Sequence, residues 1–186
     1  MLSPVSVRRA GVSLTLCCTL LAGATACGGS GDDTASASAP SASSSADKQE
    51  KQKFAKTRFV ANAGLAAGAT YQWIVKPFRA GKFKKGAKGR KFSLVKAGLA
   101  GAFTYNRLKA ATKNAQGDPT LAKAVAPLTS GIDALKDLPS KLRKGDGTDS
   151  VVNSFDDIIK DVKGAGSSAG AEVKDKVPSA GELSKG

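Results

Sequence analysis

The sequence contains no histidine, and its three cysteines, Cys17, Cys18 and Cys27, all lie within the first 27 of 186 residues. The chain therefore lacks the commonest general base and the commonest zinc ligand. Beyond Cys27 it also lacks any cysteine whose thiolate could bind a metal or act as a nucleophile. No motif places a serine beside a lysine with a third orienting group. We expect a protein that is not an enzyme and that binds neither metal nor cofactor.

Aromatic residues make up only 5% of the sequence, whereas alanine and glycine are frequent. A core poor in bulky and β-branched side chains favours closely packed helices over a sheet. Beyond residue 47, about 140 residues remain, which is enough for one domain with its own core. We therefore predict an all-α fold, a small bundle of about four to five helices.

The N-terminal segment has the three parts of an export signal. Arg8 and Arg9 precede an apolar run from Val12 to about Ala22, and small residues follow before Cys27. This run is about half the ~20 residues that a helix needs to cross a bilayer. Residues 1–26 are therefore predicted to be a signal peptide. The arginine pair also leaves a twin-arginine signal open, although the flanking residues match that pattern poorly.

Two routes of processing are open at the end of this signal. Ala24-Thr25-Ala26 fits the A-x-A pattern of ordinary signal peptidase, which would release a secreted protein. The segment LLAGATAC, followed by GGSGDD, also resembles the lipobox of bacterial lipoproteins, although Ala24 stands where that motif usually has leucine. The resemblance implies that Cys27 carries a lipid such as palmitate and anchors the exported protein on the outer face of the cell membrane. A lone cysteine, which can form no intrachain disulfide after cleavage, favours this route.

Residues 27–47 read CGGSGDDTASASAPSASSSAD, a composition with almost nothing to bury. It predicts a disordered tether. Twenty residues of this kind have a root-mean-square reach of about 25 Å, enough to hold a domain clear of lipid head groups. The helical domain is predicted to span residues 48–164. Residues 165–186, rich in glycine, serine and lysine, are predicted to form a flexible tail.

Two segments of the domain match at a constant offset of 34 residues. Ala63-Gly64-Leu65-Ala66 matches Ala97-Gly98-Leu99-Ala100, and Thr70-Tyr71 matches Thr104-Tyr105. Two copies are too few for a solenoid, so we predict an Ala/Gly-rich helical hairpin with similar arms.

The first arm has no charged residue from Phe59 to Val75. Its glycines predict a close packing contact, and its proline predicts a distortion of the helix. Gly64 and Gly68 lie one helical turn apart and would let a neighbouring helix approach closely. Pro77 is expected to end or kink the arm.

Further helices are predicted after the hairpin. Gly117-Asp118-Pro119 is a turn signal with proline at a helix start. The apolar seam that follows is interrupted by prolines, which favours two short helices. An amphipathic stripe then predicts a helix that Asp149 caps and Gly164 ends.

The net charge of +14 is unevenly distributed along the chain. Residues 48–116 contain seventeen Lys or Arg and a single acid, Glu50, whereas residues 117–186 contain ten bases and eleven acids. Seven of the bases lie in RAGKFKKGAKGRK, which joins the two arms and which we call the basic loop (residues 79–91). These seven candidate site residues are Arg79, Lys82, Lys84, Lys85, Lys88, Arg90 and Lys91.

The basic loop resembles a phosphate-binding loop only in part. Gly81 to Gly86 supplies GxxxxG, but Ala87-Lys88 follows in place of Lys-Ser/Thr and no strand precedes it, which argues against nucleotide binding. We expect instead that the lysines, with Phe83 and Phe92, lie on an anionic surface. The alternative is a solvated loop that only keeps the protein soluble. Polar residues within the arms disfavour insertion of the hairpin into a membrane.

Two functions of different classes remain open. The first is a lipid-anchored, non-catalytic module whose basic domain binds anionic lipid or cell-wall polymer, with nucleic acid a less favoured partner. The second is a scaffold or accessory subunit of an envelope protein complex, in which the Ala/Gly hairpin packs against a partner protein. The lipobox resemblance covers about the first thirty residues and does not decide between them.

Overall fold

The computed structural model describes residues 42–185, with side chains from residue 47 onward, and every regular element between these limits is helical. Three-residue 3₁₀ turns, Ala126–Leu128 and Leu135–Asp137, lie between the later helices. The remaining elements are α1 (Ala42–Thr70), a π-helical turn (Tyr71–Val75), α2 (Lys76–Arg79), α3 (Arg90–Ala115), α4 (Pro119–Val125), α5 (Thr129–Ala134), α6 (Leu138–Lys144), α7 (Thr148–Ser168) and α8 (Ala180–Ser184). The prediction of a small all-α bundle is confirmed.

Helix α1 begins at Ala42, inside the segment predicted to be tether and six residues before the predicted start of the domain at Lys48. Alanine and serine tolerate a helix, and extending an existing helix adds a hydrogen bond for each residue that is fixed. The predicted signal peptide, Cys27 and the tether up to residue 41 lie outside the described residues.

The long helices α1 and α3 form the predicted antiparallel hairpin. The hydroxyl oxygens of Thr70 and Thr104, which are equivalent in the two repeats, lie 3.1 Å apart in the buried interface. The Thr104 hydroxyl is also 3.4 Å from the Ala66 carbonyl oxygen, to which it can donate. Buried small residues along the two helices allow this close approach; they include Ala63, Ala66, Ala67, Ala69, Ala97, Ala100 and Ala111.

Pro77 distorts the first arm but does not end it. Tyr71–Val75 widens into a π-helical turn in which the Lys76 N–H bonds to the Tyr71 carbonyl, and α2 then carries the chain to Arg79. Proline has no N–H, and its ring crowds the carbonyl four residues earlier. The wider turn therefore accommodates a proline that a regular helix would not.

Most of the apolar residues that follow the hairpin are buried, as their spacing predicted. They lie on three short helices, α4 to α6, where two were expected. Helix α4 begins at Pro119, and the buried Asp118 side chain accepts a hydrogen bond from the Leu121 N–H at 2.8 Å. The prolines lie where 3₁₀ turns and new helices begin, because proline is best tolerated in a first turn. The buried residues of the seam are Leu121, Val125, Ile132, Leu135 and Leu142.

Helix α7 carries the predicted amphipathic stripe, but neither end was predicted correctly. Gly147, at φ +53°, is the N-cap, and Asp149 lies in the first turn. Gly164 lies in the helix interior, where a Cβ would meet nothing within 4 Å, and the helix continues to Ser168. The buried stripe consists of Val151, Val152, Phe155, Ile159 and Val162.

The flexible tail predicted from residue 165 is wrong, because this part of the chain is packed. After α7, residues 171–179 run extended beside α1; we call this segment the C-terminal strap. Ala171 and Val173 are buried and alternate with exposed residues, as in a strand with one face covered. The region is rich in glycine, serine and lysine, so its few buried apolar residues gave no clear sequence pattern. Leu183 of α8 is another of these buried residues.

Gly64 and Gly68 form the surface on which the C-terminal strap lies. A Cβ at Gly64 would be 2.6 Å from the Lys174 carbonyl oxygen, and one at Gly68 would overlap the Lys176 carbonyl group. The Lys176 N–H donates to the Gly64 carbonyl at 2.8 Å. The glycine pair was expected to admit a neighbouring helix. It admits an extended backbone of the same chain, which comes closer than a helix surrounded by side chains could.

The end of the strap is fixed by side-chain hydrogen bonds. The Trp73 indole N–H donates to the Pro178 carbonyl at 3.3 Å, and Lys163 pairs with Asp175 at 2.7 Å. Ser179 and Glu182 form a reciprocal capping box at the start of α8. The backbone N–H of Ser179 donates to the Glu182 carboxylate at 2.7 Å, and this bond lowers the pKa of Glu182.

Substitutions at two glycines of α7 should change the stability of the protein in opposite directions. Gly164→Ala should stabilise the protein by about 0.5–1 kcal/mol, because alanine favours a helix and the site is open. Gly166→Ala should destabilise it, since a Cβ would lie 2.6 Å from the Ala171 carbonyl oxygen and 3.1 Å from the Phe59 ring. Urea unfolding of both variants measures the difference, and a Gly166→Ala variant as stable as the parent would contradict the packed arrangement.

A substitution at Gly68 tests the strap itself. Gly68→Ala should displace the Lys176 backbone and cost about 1–3 kcal/mol of stability. Amide hydrogen exchange should show faster exchange of the Lys176 N–H, which the Gly64 carbonyl protects. Gly164→Ala is the matched control and should leave that exchange rate unchanged. Equal protection in parent and Gly68→Ala would mean that the strap does not depend on this contact.

Candidate anionic-surface site

Residues 80–89 of the basic loop form a succession of hydrogen-bonded turns, whereas Arg79 ends α2 and Arg90 and Lys91 begin α3. Gly81, Gly86 and Gly89 have φ values of +70°, +85° and +75°, a region that other residues rarely adopt. The Lys84 N–H donates to the Gly81 carbonyl at 3.2 Å, and the Ala87 N–H donates to the Lys84 carbonyl at 3.1 Å. The three glycines and these bonds therefore give the loop a defined path.

Phe83 fastens the middle of the loop to the body of the protein. Its side chain is only 4% exposed, and its ring centroid lies 6.2 Å from that of Phe78. The prediction that Phe83 would face an anionic surface is wrong, because the turns around it direct the ring into the core. The Phe83 backbone carbonyl accepts a hydrogen bond from Arg90 Nε at 2.8 Å.

The two arginines of the loop contact the protein. Arg90 is half-buried, and its guanidinium lies against Gly145, where a Cβ would overlap it. Arg79 is exposed, with its Nη2 atom 4.0 Å from the Asp156 carboxylate, a separation at the limit of an ion pair. Arg90 therefore has a structural role, and Arg79 is partly neutralised.

The five lysines of the loop are exposed and form no ion pair with any described residue. Acids elsewhere have partners outside the loop: Lys109 lies 2.8 Å from Asp133, and Lys160 lies 2.9 Å from Asp156. The hydrogen bond to Asp133 raises the pKa of Lys109. The loop therefore carries five exposed lysines that lack an ion pair within the described chain and lie close together in sequence: Lys82, Lys84, Lys85, Lys88 and Lys91.

A cleft of about 460 Å³ lies between the loop and the turn that joins α6 to α7. Four of the seven predicted site residues line it: Arg79, Lys84, Lys85 and Arg90. Thr148 and Asp149, at the start of α7, line the opposite wall. Because Asp149 adds negative charge, the cleft is less positive than the outward face of the loop.

An aromatic groove of about 390 Å³ adjoins the loop; its walls include Trp73, Pro77 and Phe92, with Lys76, Lys82 and Lys96 among its basic lining residues. Phe92 is 66% exposed. Lys96 Nζ lies 4.4 Å from the Phe92 ring centroid and 5.1 Å from the Trp73 ring centroid, within cation–π range of both.

Sequence reasoning found Phe92 but missed Trp73, Lys76 and Lys96 as members of this surface. The spacing of four between Phe92 and Lys96 could have indicated that they share a helix face. Trp73 packs partly against the core while also lining the groove.

Other kinds of site find little support in the described residues. Among residues 42–185, no group of three or more Asp, Glu or Cys side chains is placed to hold a metal ion. In the same range, no helix has both the length and the apolar character of a bilayer-spanning segment. Cys27, the predicted lipidation site, lies outside this part of the chain.

The contact between Arg90 and Phe83 predicts an effect that the neighbouring lysine should lack. Arg90→Ala removes the hydrogen bond to the Phe83 carbonyl and leaves a space beside Gly145. We expect a loss of about 1–2 kcal/mol of stability and faster amide exchange in the loop. Lys91→Ala removes the same charge from an exposed position and should change neither quantity measurably. Similar behaviour of both variants would contradict a structural role for Arg90.

Comparison with protein-family models, with curated proteins and with solved structures finds no match for this chain. Its own charges, exposed residues and geometry are therefore the basis for a functional proposal.

Proposed function

We propose that this is an exported, lipid-anchored, non-catalytic protein whose basic helical domain binds an anionic envelope surface or polymer through the basic loop. The observation that carries the proposal is the set of five exposed, unpaired lysines on one loop of fixed path. The lipobox-like segment ending at Cys27 supports export and anchoring.

The charge on the loop is large enough to matter energetically. Each basic group near an anionic membrane contributes about 1 kcal/mol, and the effect fades within a Debye length of about 8 Å at physiological salt. Five lysines that bind no acid of the described chain lose no ion pair when they meet a partner. Because Phe83 and Arg90 hold the loop backbone, binding also costs little backbone entropy.

The alternative, a scaffold or accessory subunit, was motivated by the small-residue faces of the hairpin. These faces contact the chain itself. The C-terminal strap covers Gly64 and Gly68, and a Cβ at Gly98 would lie 2.9 Å from the Pro139 carbonyl oxygen. A Cβ at Gly101 would lie 3.1 Å from the Phe155 ring. No specific feature of the packed hairpin therefore favours a protein partner.

Charge removal on the loop tests the proposal. The Lys84→Ala/Lys85→Ala/Lys88→Ala variant should bind vesicles of equal parts phosphatidylcholine and phosphatidylglycerol roughly a hundredfold more weakly than the parent, at about 1 kcal/mol for each lysine. The matched control, Lys123→Ala/Lys136→Ala/Lys174→Ala, removes three exposed charges, none of which lines the cleft or the groove beside the loop, and should bind nearly as the parent does. Co-sedimentation measures both affinities on proteins that also carry Cys27→Ser, so that a lipid on Cys27 does not contribute to vesicle binding.

Salt dependence provides the second measurement. Parent binding to these vesicles, or to soluble polyphosphate, should weaken steeply as salt rises to about 0.15 M and beyond. Failure of the parent to bind either anion in dilute buffer would refute the proposal. Equal losses in the loop variant and the control would show that net charge, and not the basic loop, is responsible.

A further inference from the structure

We propose that the aromatic groove docks on the surface of an anionic lipid bilayer, with the Phe92 side chain entering the boundary between head groups and acyl chains. This inference rests on the proposed function and specifies its partner. It extends the site from the basic loop to the adjoining surface made by the π-helical turn, α2 and the first turns of α3.

Phe92 is the observation that a purely electrostatic site leaves unexplained. Of the seven phenylalanines, Phe59, Phe83, Phe103 and Phe155 are buried and Phe78 is half-buried, whereas Phe54 is 56% exposed and Phe92 is 66% exposed. It does not stand alone, because it forms one wall of a groove together with Trp73 and Pro77. A clustered apolar surface of this kind indicates a contact site more strongly than a single exposed side chain does.

The cations around the groove match the charge of a phospholipid surface. Lys76 and Lys82 line it, Lys91 is adjacent to Phe92 in sequence, and Lys96 lies over both aromatic rings. Lysine side chains can lay their alkyl stems along apolar surface while their ammonium groups stay at the level of the phosphates. The groove therefore combines an apolar wall with a positively charged rim.

An anionic bilayer fits this combination better than a soluble polyanion does. A polyanion without aromatic groups, such as polyphosphate, would meet the lysines but would gain nothing from an exposed phenylalanine. A bilayer presents negative charge and, within about 5–10 Å, the start of its apolar region, where interfacial aromatic side chains are buried. Contact at this depth needs no spanning helix, in agreement with the lack of one among residues 42–185.

Trp73 provides a local reporter of docking, because it is the only tryptophan in the chain and it lines the groove. The protein, as purified from the producing cells, is mixed with vesicles whose acyl chains carry bromine. We expect quenching of Trp73 fluorescence by vesicles of equal parts phosphatidylcholine and phosphatidylglycerol, and little quenching by phosphatidylcholine alone. Attachment of the chain through its N-terminal region would not by itself bring Trp73 to the acyl chains, so this readout reports the groove.

Phe92→Ala and Phe54→Ala form a matched pair of variants. Phe54 is 56% exposed and also has basic neighbours, Lys51, Arg58 and Lys113, but it lies nineteen residues before Trp73 in the first arm, about 28 Å along a helix. Phe92→Ala should lose most of the Trp73 quenching and, when Cys27→Ser removes any lipid anchor, bind anionic vesicles about tenfold more weakly. Phe54→Ala should retain both properties, and Phe92→Leu should restore most of what Phe92→Ala loses.

The outcomes separate this inference from the proposed function. If Phe92→Ala binds and quenches as the parent does, while the triple lysine variant is weakened, the contact is electrostatic only; the inference fails and the proposed function stands. If Phe92→Ala weakens binding to soluble polyphosphate as much as binding to vesicles, the groove serves a polymer and the bilayer assignment is overturned. If the parent binds neither anionic vesicles nor polyphosphate in dilute buffer, both proposals fail.

Discussion

Close contact between backbones around α1 is the constraint on which the rest of the structure depends. With few large side chains available, the helices gain dispersion energy only by coming near one another, and alanine and glycine make that approach possible. The hydroxyls of Thr70 and Thr104 meet at 3.1 Å between the two arms, and the C-terminal strap lies on Gly64 and Gly68. The same helix therefore packs against α3 through one set of small residues and against the strap through another.

This packing also explains why the basic loop has a fixed path. The loop overlaps the last residue of α2 and the first two residues of α3 at one end of the hairpin, and Phe83 and Arg90 connect it to the core and to the turn after α6. A loop of thirteen residues with seven positive charges would repel itself if it were free. Tying its middle to the protein directs the lysine side chains outward and leaves the backbone little freedom to collapse or rearrange.

Much of the fold could be predicted from the sequence, because hydrophobic periodicity and proline positions are local signals. The repeat predicted the hairpin, and Gly117-Asp118-Pro119 predicted the start of α4. The C-terminal strap could not be predicted, since its anchors, such as Val173 and Leu183, are few and lie in a composition typical of disorder. The glycine pair in α1 indicated a close neighbour, but only the folded chain identifies it.

The sequence predicted the positive charge of the candidate site, but it predicted less well which side chains are exposed and which are buried. Phe83 and Phe92 are the same residue type nine positions apart, yet one is buried and the other exposed. Phe83 lies in the turn between Gly81 and Gly86 with its ring against Phe78, whereas Phe92 lies on the first turn of α3. Neither position leaves a periodic signal in the sequence. The groove beside them depends on Trp73 and Lys96 coming from different arms, so it exists only once the hairpin has formed.

The arginines and the lysines of the loop differ in their contacts, and this difference affects which anions the loop would recognise. Both arginines contact the protein, whereas the five lysines carry flexible side chains into solvent. Arginine suits fixed, directional hydrogen bonds, and lysine acts as a mobile point charge that needs no particular geometry in its partner. A surface built from lysines should therefore respond to the density of negative charge more than to the identity of one head group. On such a surface, Phe92 is the feature that would separate a bilayer from a polyphosphate of similar charge.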